Sequence, residues 1–173
     1  MNSAFPYGLL AAWALHDAEE VLLGPRWLRE RLPELRERFP EVPEGVWKAA
    51  ESVDEREFAV AVAGVGAVVA AAAVAGQRSG GRSAFYQAAL NGFGLHGLVH
   101  LSQAAAVRGY TPGSATSPLI VVPFTLWVRS RLRRAGVLRR TRARDLVTGL
   151  AVAAGVTVAA HGIARKVTGH PRF

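Results

Sequence analysis

The sequence contains no cysteine, so neither a disulfide framework nor a thiolate metal site can be argued for it. Charge is missing from long stretches, because residues 58–76, 84–107, 109–128 and 146–164 hold no Asp, Glu, Lys or Arg. Each is about the length a helix needs to cross the hydrocarbon core, roughly 17–25 residues. Residues 58–76 also lack the polar stripe that a core helix of a soluble bundle normally shows. No basic segment precedes the first apolar run, residues 5–23, and three acids sit in its core, so it is not expected to be a cleaved signal peptide. No internal repeat is visible, which disfavours a standard alternating-access carrier.

What is present reads as an all-α integral membrane bundle of about five transmembrane helices, one membrane domain over residues 1–173. Spans are expected at about 5–23, 58–76, 84–107, 114–128 and 146–164, with a charged extramembrane or interfacial insert at 26–57. Gly24-Pro25 is expected to stop the first helix. In the insert Trp27, Leu28, Leu32, Leu35 and Phe39 recur at helical spacing amid Arg and Glu. That pattern reads either as an interfacial amphipathic helix cut short at Pro33, Pro40 and Pro43 or as a hairpin capping the bundle. Pro118 and Pro123 make the fourth span kinked or partly re-entrant.

A formal charge of +8 raises nucleic acid as a partner, but eight of the twenty-one Lys and Arg lie at 129–144, a connector between two spans. Such a run marks a cytoplasmic side more often than a nucleic-acid surface. The two sides of a five-span chain carry ten and eleven basic residues, and the short connector tips the balance toward a cytoplasmic N-terminus. A multi-pass protein of the cytoplasmic membrane is expected, with a homo-oligomer left open.

The chemistry gathers at His16-Asp17-Ala18-Glu19-Glu20, set inside the first apolar run. Ionisable residues at membrane depth are expensive and by default functional. Helical spacing puts His16, Glu19 and Glu20 on one face and Asp17 on another. His96, His100 and His161 also fall within expected spans, and His96 and His100 are four residues apart, so two imidazoles of one helix can reach the same ion. His16 with Glu19 reverses the Glu-x-x-His pair of carboxylate-bridged bundles. Imidazole and carboxylate without thiolate suit zinc, iron or manganese. Six candidate ligands, His16, Glu19, Glu20, His96, His100 and His161, exceed what one zinc ion takes, which favours two ions or one ion with a glutamate left as general base. Asn91 is a candidate for supporting that set. The Gly92-x-Gly94-x-x-Gly97 spacing lies inside an apolar helix rather than at a strand-to-helix turn, so it reads as helix packing and not as a nucleotide site.

The string His16-x-x-Glu19-Glu20 near the start of a short multi-span chain resembles the HxxEE family of bacterial membrane proteins. The resemblance extends to the Asn- and His-containing stretch ending in His100 and to Tyr110-Thr111-Pro112-Gly113-x-Ala115-Thr116, and covers about residues 7–128. It implies several membrane helices and a suspicion of metal, and supplies no substrate.

The leading expectation is a metal-dependent membrane enzyme acting on a lipophilic small molecule, with Glu19 and Glu20 as catalytic groups and oxidative chemistry slightly favoured over hydrolysis. A metal-free acid–base isomerase or cyclase of an isoprenoid-like substrate is the alternative, with Trp13, Tyr86, Phe93 and Trp127 available to a carbocation. A proton or ion transporter is the third.

Overall fold

The computed structural model describes residues 5–140 and, beyond them, Gly155, Ala159, Gly162, Ile163 and Lys166. The span expected at 146–164, His161 included, otherwise lies outside the described residues. Among the described residues every element is helical. They are α1 (Gly8–Arg38), α2 (Glu44–Glu51), α3 (Glu55–Arg78), α4 (Ala84–Val107), a π-helical turn (Ser117–Val121) and α5 (Val122–Arg134).

The helix starts follow from local chemistry. Asp54 caps α3 by accepting from the backbone N–H of Arg56 and Glu57 at 2.9 and 3.0 Å, and Glu55 and Glu57 add negative charge to that first turn. Ser83 caps α4 through the N–H of Tyr86. Gly80 and Gly81, at φ +59° and +86°, turn the chain tightly between α3 and α4.

Where α1 ends corrects the expectation drawn from Gly24-Pro25. The helix continues through Pro25 and Pro33 to Arg38. An interior proline removes one backbone hydrogen bond and costs about 3 kcal/mol in an isolated helix. Tertiary contacts offset that here: Pro25 and Leu32 are buried, and Arg29 pairs with Glu55 of α3 at 2.6 Å. Arg36 binds Glu44 and Glu51 of α2 at 2.6 and 3.1 Å.

The helices pack as an antiparallel bundle through close contacts at glycine. Trp13 lies on Gly66 and Phe58 near Gly24, which sets α1 against α3, and Tyr86 lies on Gly76, which sets α3 against α4. Gly94 meets Thr125 and Gly97 meets Val121 and Ser117, so α4 runs against the π-helical turn and α5. Gly8 meets Phe124. Both α1 and α4 therefore run in one direction, and the turn and α5 run in the other. Gly94 and Gly97 are packing positions as their spacing suggested, whereas Gly92 faces open space.

The apolar core of Leu9, Ala12, Tyr86, Leu90, Phe93, Val121, Val128 and Leu132 fills the end of the bundle where α1 begins. Above it the interior is polar: His16, Asp17, His100, Thr111, Ser117 and Thr125 are buried. Leu15, Leu22, Leu98, Val99, Leu119 and Leu126 instead face outward. Glu55–Arg78 is the one described helix long and apolar enough to cross a membrane by its composition, its most apolar 18-residue stretch having mean hydropathy 2.4. The runs expected as spans at 5–23, 84–107 and 114–128 fall short of that standard. The first carries Asp17, Glu19 and Glu20, the second carries Gln87, Asn91, His96, His100 and Gln103, and the third is divided between the π-helical turn and α5, a helix of 13 residues.

A Cβ at Gly66 would stand 2.6 Å from the Trp13 ring, while one at Gly92 would meet nothing within 4 Å. Gly66→Val is expected to destabilise the bundle by about 1–3 kcal/mol through overpacking. Gly92→Ala is expected to be neutral or slightly stabilising because alanine is the better helix former. Thermal unfolding of the two variants beside the parent checks both.

Candidate metal centre

One turn of α1 and one turn of α4 face each other just beyond Phe93, the last aromatic ring of the core. His16 and Glu20 are i and i+4 on α1, and His96 and His100 are i and i+4 on α4. The helix period aims each pair at the other. Four ligand atoms, one from each residue, lie within 4.8 Å of one another. The Nε2 atoms of His16, His96 and His100 stand 3.1, 3.0 and 2.6 Å from a single oxygen, Oε1 of Glu20. The ring centroids are 4.4–5.1 Å apart.

Hydrogen bonding decides which nitrogen of His16 carries the proton. Thr116 Oγ1 donates to Glu19 Oε2 at 2.6 Å, since a carboxylate has nothing to donate. Its oxygen is then free to accept from His16 Nδ1 at 2.7 Å. His16 thus holds its proton on Nδ1 and turns the lone pair of Nε2 inward. That atom is fully buried, and although it is 3.1 Å from Glu20 Oε1 it is not aligned for a hydrogen bond. His96 Nε2 and His100 Nε2 are 2.9 Å apart, so at most one of them can point a proton into the gap between them. Several lone pairs therefore converge on one small volume, a donor set that can hold a divalent ion.

Glu19, although on the same face of the helix, is not part of this group. Its carboxylate is bound by the segment between α4 and the π-helical turn. Tyr110 Oη donates to Oε1 at 2.7 Å and the Ala115 N–H to the same oxygen at 3.4 Å. The Thr116 N–H and hydroxyl donate to Oε2 at 2.9 and 2.6 Å. Tyr110 remains a phenol, because partial burial and the bond to the charged Glu19 push its pKa up. This chain of imidazole, hydroxyl and carboxylate has the form of the outer partners that orient a metal-binding histidine.

Thr111-Pro112-Gly113-Ser114 forms a tight turn closed by Ser114 N–H to Thr111 C=O at 2.9 Å, with Gly113 at φ +84°. Gly113 is required twice over. The positive φ suits only glycine, and a Cβ there would lie 2.6 Å from His100 Nδ1. The backbone at Gly113 thus backs the His100 ring.

The sequence expectations divide accordingly. His16, Glu20, His96 and His100 are brought together, Glu19 is held apart by the Tyr110–Thr116 segment, and His161 lies outside the described residues. Asn91 faces away from the group and accepts a hydrogen bond from Arg129 of α5. Asp17, expected off the shared face, is nonetheless buried, and its Oδ2 has no hydrogen-bond partner among the described residues. Thr116, Tyr110 and Gly113 carry roles that spacing alone did not assign. A hydroxyl just after a Pro-Gly turn and ahead of an apolar helix was the available signal. Access is one-sided: His16 is enclosed, Glu20 is 13% exposed and His96 44%.

A family model described as a protein of unknown function with an HXXEE motif matches residues 7–128. No curated protein and no solved structure matches the chain.

Thr116→Val removes the hydroxyl between His16 and Glu19 while keeping the shape of the side chain. Metal affinity is expected to fall about 10–100-fold with the helical content unchanged. Metal titration of the purified variant, with circular dichroism alongside, checks this. Gly113→Ala is expected to weaken metal binding and to lower the unfolding temperature together.

Proposed function

The chain belongs to the family of proteins of unknown function with an HXXEE motif, and from that premise we propose that it is a membrane-embedded, metal-dependent enzyme acting on a lipophilic substrate. The observation that carries this reading is the approach of three imidazole Nε2 atoms to one carboxylate oxygen, with the His16 lone pair directed inward by Thr116. The set favours one ion over two, since four ligands meet among the described residues. His16, His96, His100 and Glu20 would hold it, and Glu19 would orient His16.

Such an ion supplies Lewis acidity and, if it is iron or manganese, electron transfer with oxygen. Six-coordinate iron or manganese keeps two positions open beside four protein ligands, which suits oxidation of a bound substrate. Zinc would bind the three imidazoles and leave Glu20 as a general base for hydrolysis. The oxidative reading is preferred because Glu20 Oε1 stands among the nitrogens rather than behind them.

The membrane setting is supported by the apolar helix Glu55–Arg78 and by a bundle whose polar groups point inward while Leu15, Leu22, Leu98, Leu119 and Leu126 point out. A reactant reaching His96 from that surface would be lipophilic. The carbocation alternative has less support. Phe93 alone of its aromatic candidates stands at the group, edge-on to His16 with centroids 5.9 Å apart, while Trp13 and Tyr86 pack on glycines of α3 and Trp127 is exposed.

Elemental analysis of the detergent-purified protein is expected to give near one equivalent of iron, manganese or zinc. His16→Ala and His100→Ala should each lose it and Glu19→Gln should retain part of it, since Glu19 acts through Thr116. A chelator should lower the unfolding temperature of the parent and not of His100→Ala. Metal-free parent protein that keeps its stability in chelator would sink the proposal.

A further inference from the structure

A cavity lies about two helical turns beyond the candidate metal ligands, at the end of the bundle opposite the apolar core. It has a volume of about 230 Å³, and its walls include Trp27, Arg31, Leu35, Arg38, Arg108 and Tyr110. Trp27 is seven residues beyond Glu20 on α1, and Val107, also on the wall, is seven beyond His100 on α4. At 1.5 Å per residue both lie roughly 10 Å from the ligands. Tyr110 joins the two places directly, lining the cavity and donating its hydroxyl to Glu19.

The charge of the cavity is unbalanced. Three arginines face one carboxylate, Glu34, which is paired with Arg31 at 2.6 Å. Arg38 donates to the Val107 carbonyl at 2.7 Å, and Arg108 has no carboxylate partner among the described residues. Elsewhere on this end of the bundle Arg26 pairs with Glu30, Arg29 with Glu55 and Arg36 with Glu44, while Arg56 has no ion pair among the described residues. Arg108 is also the one described residue other than glycine with positive φ, at +51°. It closes α4 in the left-handed conformation, where glycine is the ordinary choice, and Gly109 is its neighbour. A guanidinium is thus kept in a backbone position that disfavours it.

Between the cavity and His96, Leu23 on α1 and Val99 on α4 are exposed, and Gln103 is exposed on α4 with them. Trp and Tyr at the cavity match the residues that sit at a membrane–water boundary, with arginine heads above an apolar layer. We propose that this cavity is the headgroup subsite for an anionic amphiphile, a phosphate or carboxylate on an alkyl chain, whose chain runs along α1 and α4 to the exposed edge of His96. The proposal rests on the metal-enzyme reading for what happens at His96, but the headgroup site stands or falls by itself.

The test is calorimetric titration of the full-length protein in a non-ionic detergent with dodecyl phosphate, butyl phosphate, inorganic phosphate and dodecyltrimethylammonium. Dodecyl phosphate is expected to bind at least ten times more tightly than the other three. Arg108→Gly, which suits the backbone and should raise the unfolding temperature, is expected to weaken dodecyl phosphate at least tenfold, and Arg108→Lys to restore much of it. Dodecyl phosphate, but not butyl phosphate, is expected to slow removal of the metal by a chelator. His100→Ala should keep dodecyl phosphate binding, so a failure of the metal reading leaves the headgroup result readable. Equal binding of inorganic phosphate would make this a free-anion site and overturn the proposal. Equal binding of the cationic amphiphile, or an Arg108→Gly variant that binds like the parent, would overturn it as well, and chelator kinetics unmoved by dodecyl phosphate would overturn the path to His96.

Discussion

Three imidazoles and a carboxylate meet in the middle of a helical bundle, and the rest of the described structure is arranged so that they can. Groups of this kind are costly to bury unless they are paired or share a positive centre. Their positions are not set by α1 and α4 alone. Thr116 turns His16, the backbone at Gly113 backs His100, and Glu20 stands where all three Nε2 atoms can reach it.

The Tyr110–Thr116 segment explains why two adjacent glutamates have different partners. Glu19 and Glu20 are both within reach of His16 on an ideal helix. Four hydrogen bonds from Tyr110, Ala115 and Thr116 claim Glu19, and Glu20 is left to the histidines. A carboxylate so fully bound is a poor ligand but a good anchor, because it fixes a hydroxyl that in turn fixes an imidazole tautomer. The motif thus joins His16, the carboxylate that orients it through Thr116, and Glu20 within five residues of chain.

Close helix approach has the same purpose at a larger scale. Gly94 and Gly97 let Thr125 and Val121 sit against the α4 backbone, which draws the π-helical turn toward α1 and brings Thr116 to His16. Gly66 and Gly76 do likewise for Trp13 and Tyr86 on α3. Small residues are the usual means by which helices approach in an apolar solvent. The continuation of α1 through Pro25 and Pro33 extends the bundle to the cavity at Arg108, well past the end that Gly24-Pro25 marked in the sequence.

Much of this was legible without the structure. The apolar runs announced helices, the i, i+4 spacing paired His96 with His100, helical spacing put His16 on one face with both Glu19 and Glu20, and the glycines announced close packing. These are properties of one helix, and helical period is a local consequence of backbone geometry. The sequence by itself therefore determined the helical class and two half-sites. Only the tertiary structure decided that the half-sites face each other, that Glu19 belongs to Thr116 and Tyr110, that Asp17 is buried, and that α1 survives its prolines. Each of those depends on which distant segment arrives beside a given turn, and that is settled by packing between helices, about which the period of a single helix carries no information.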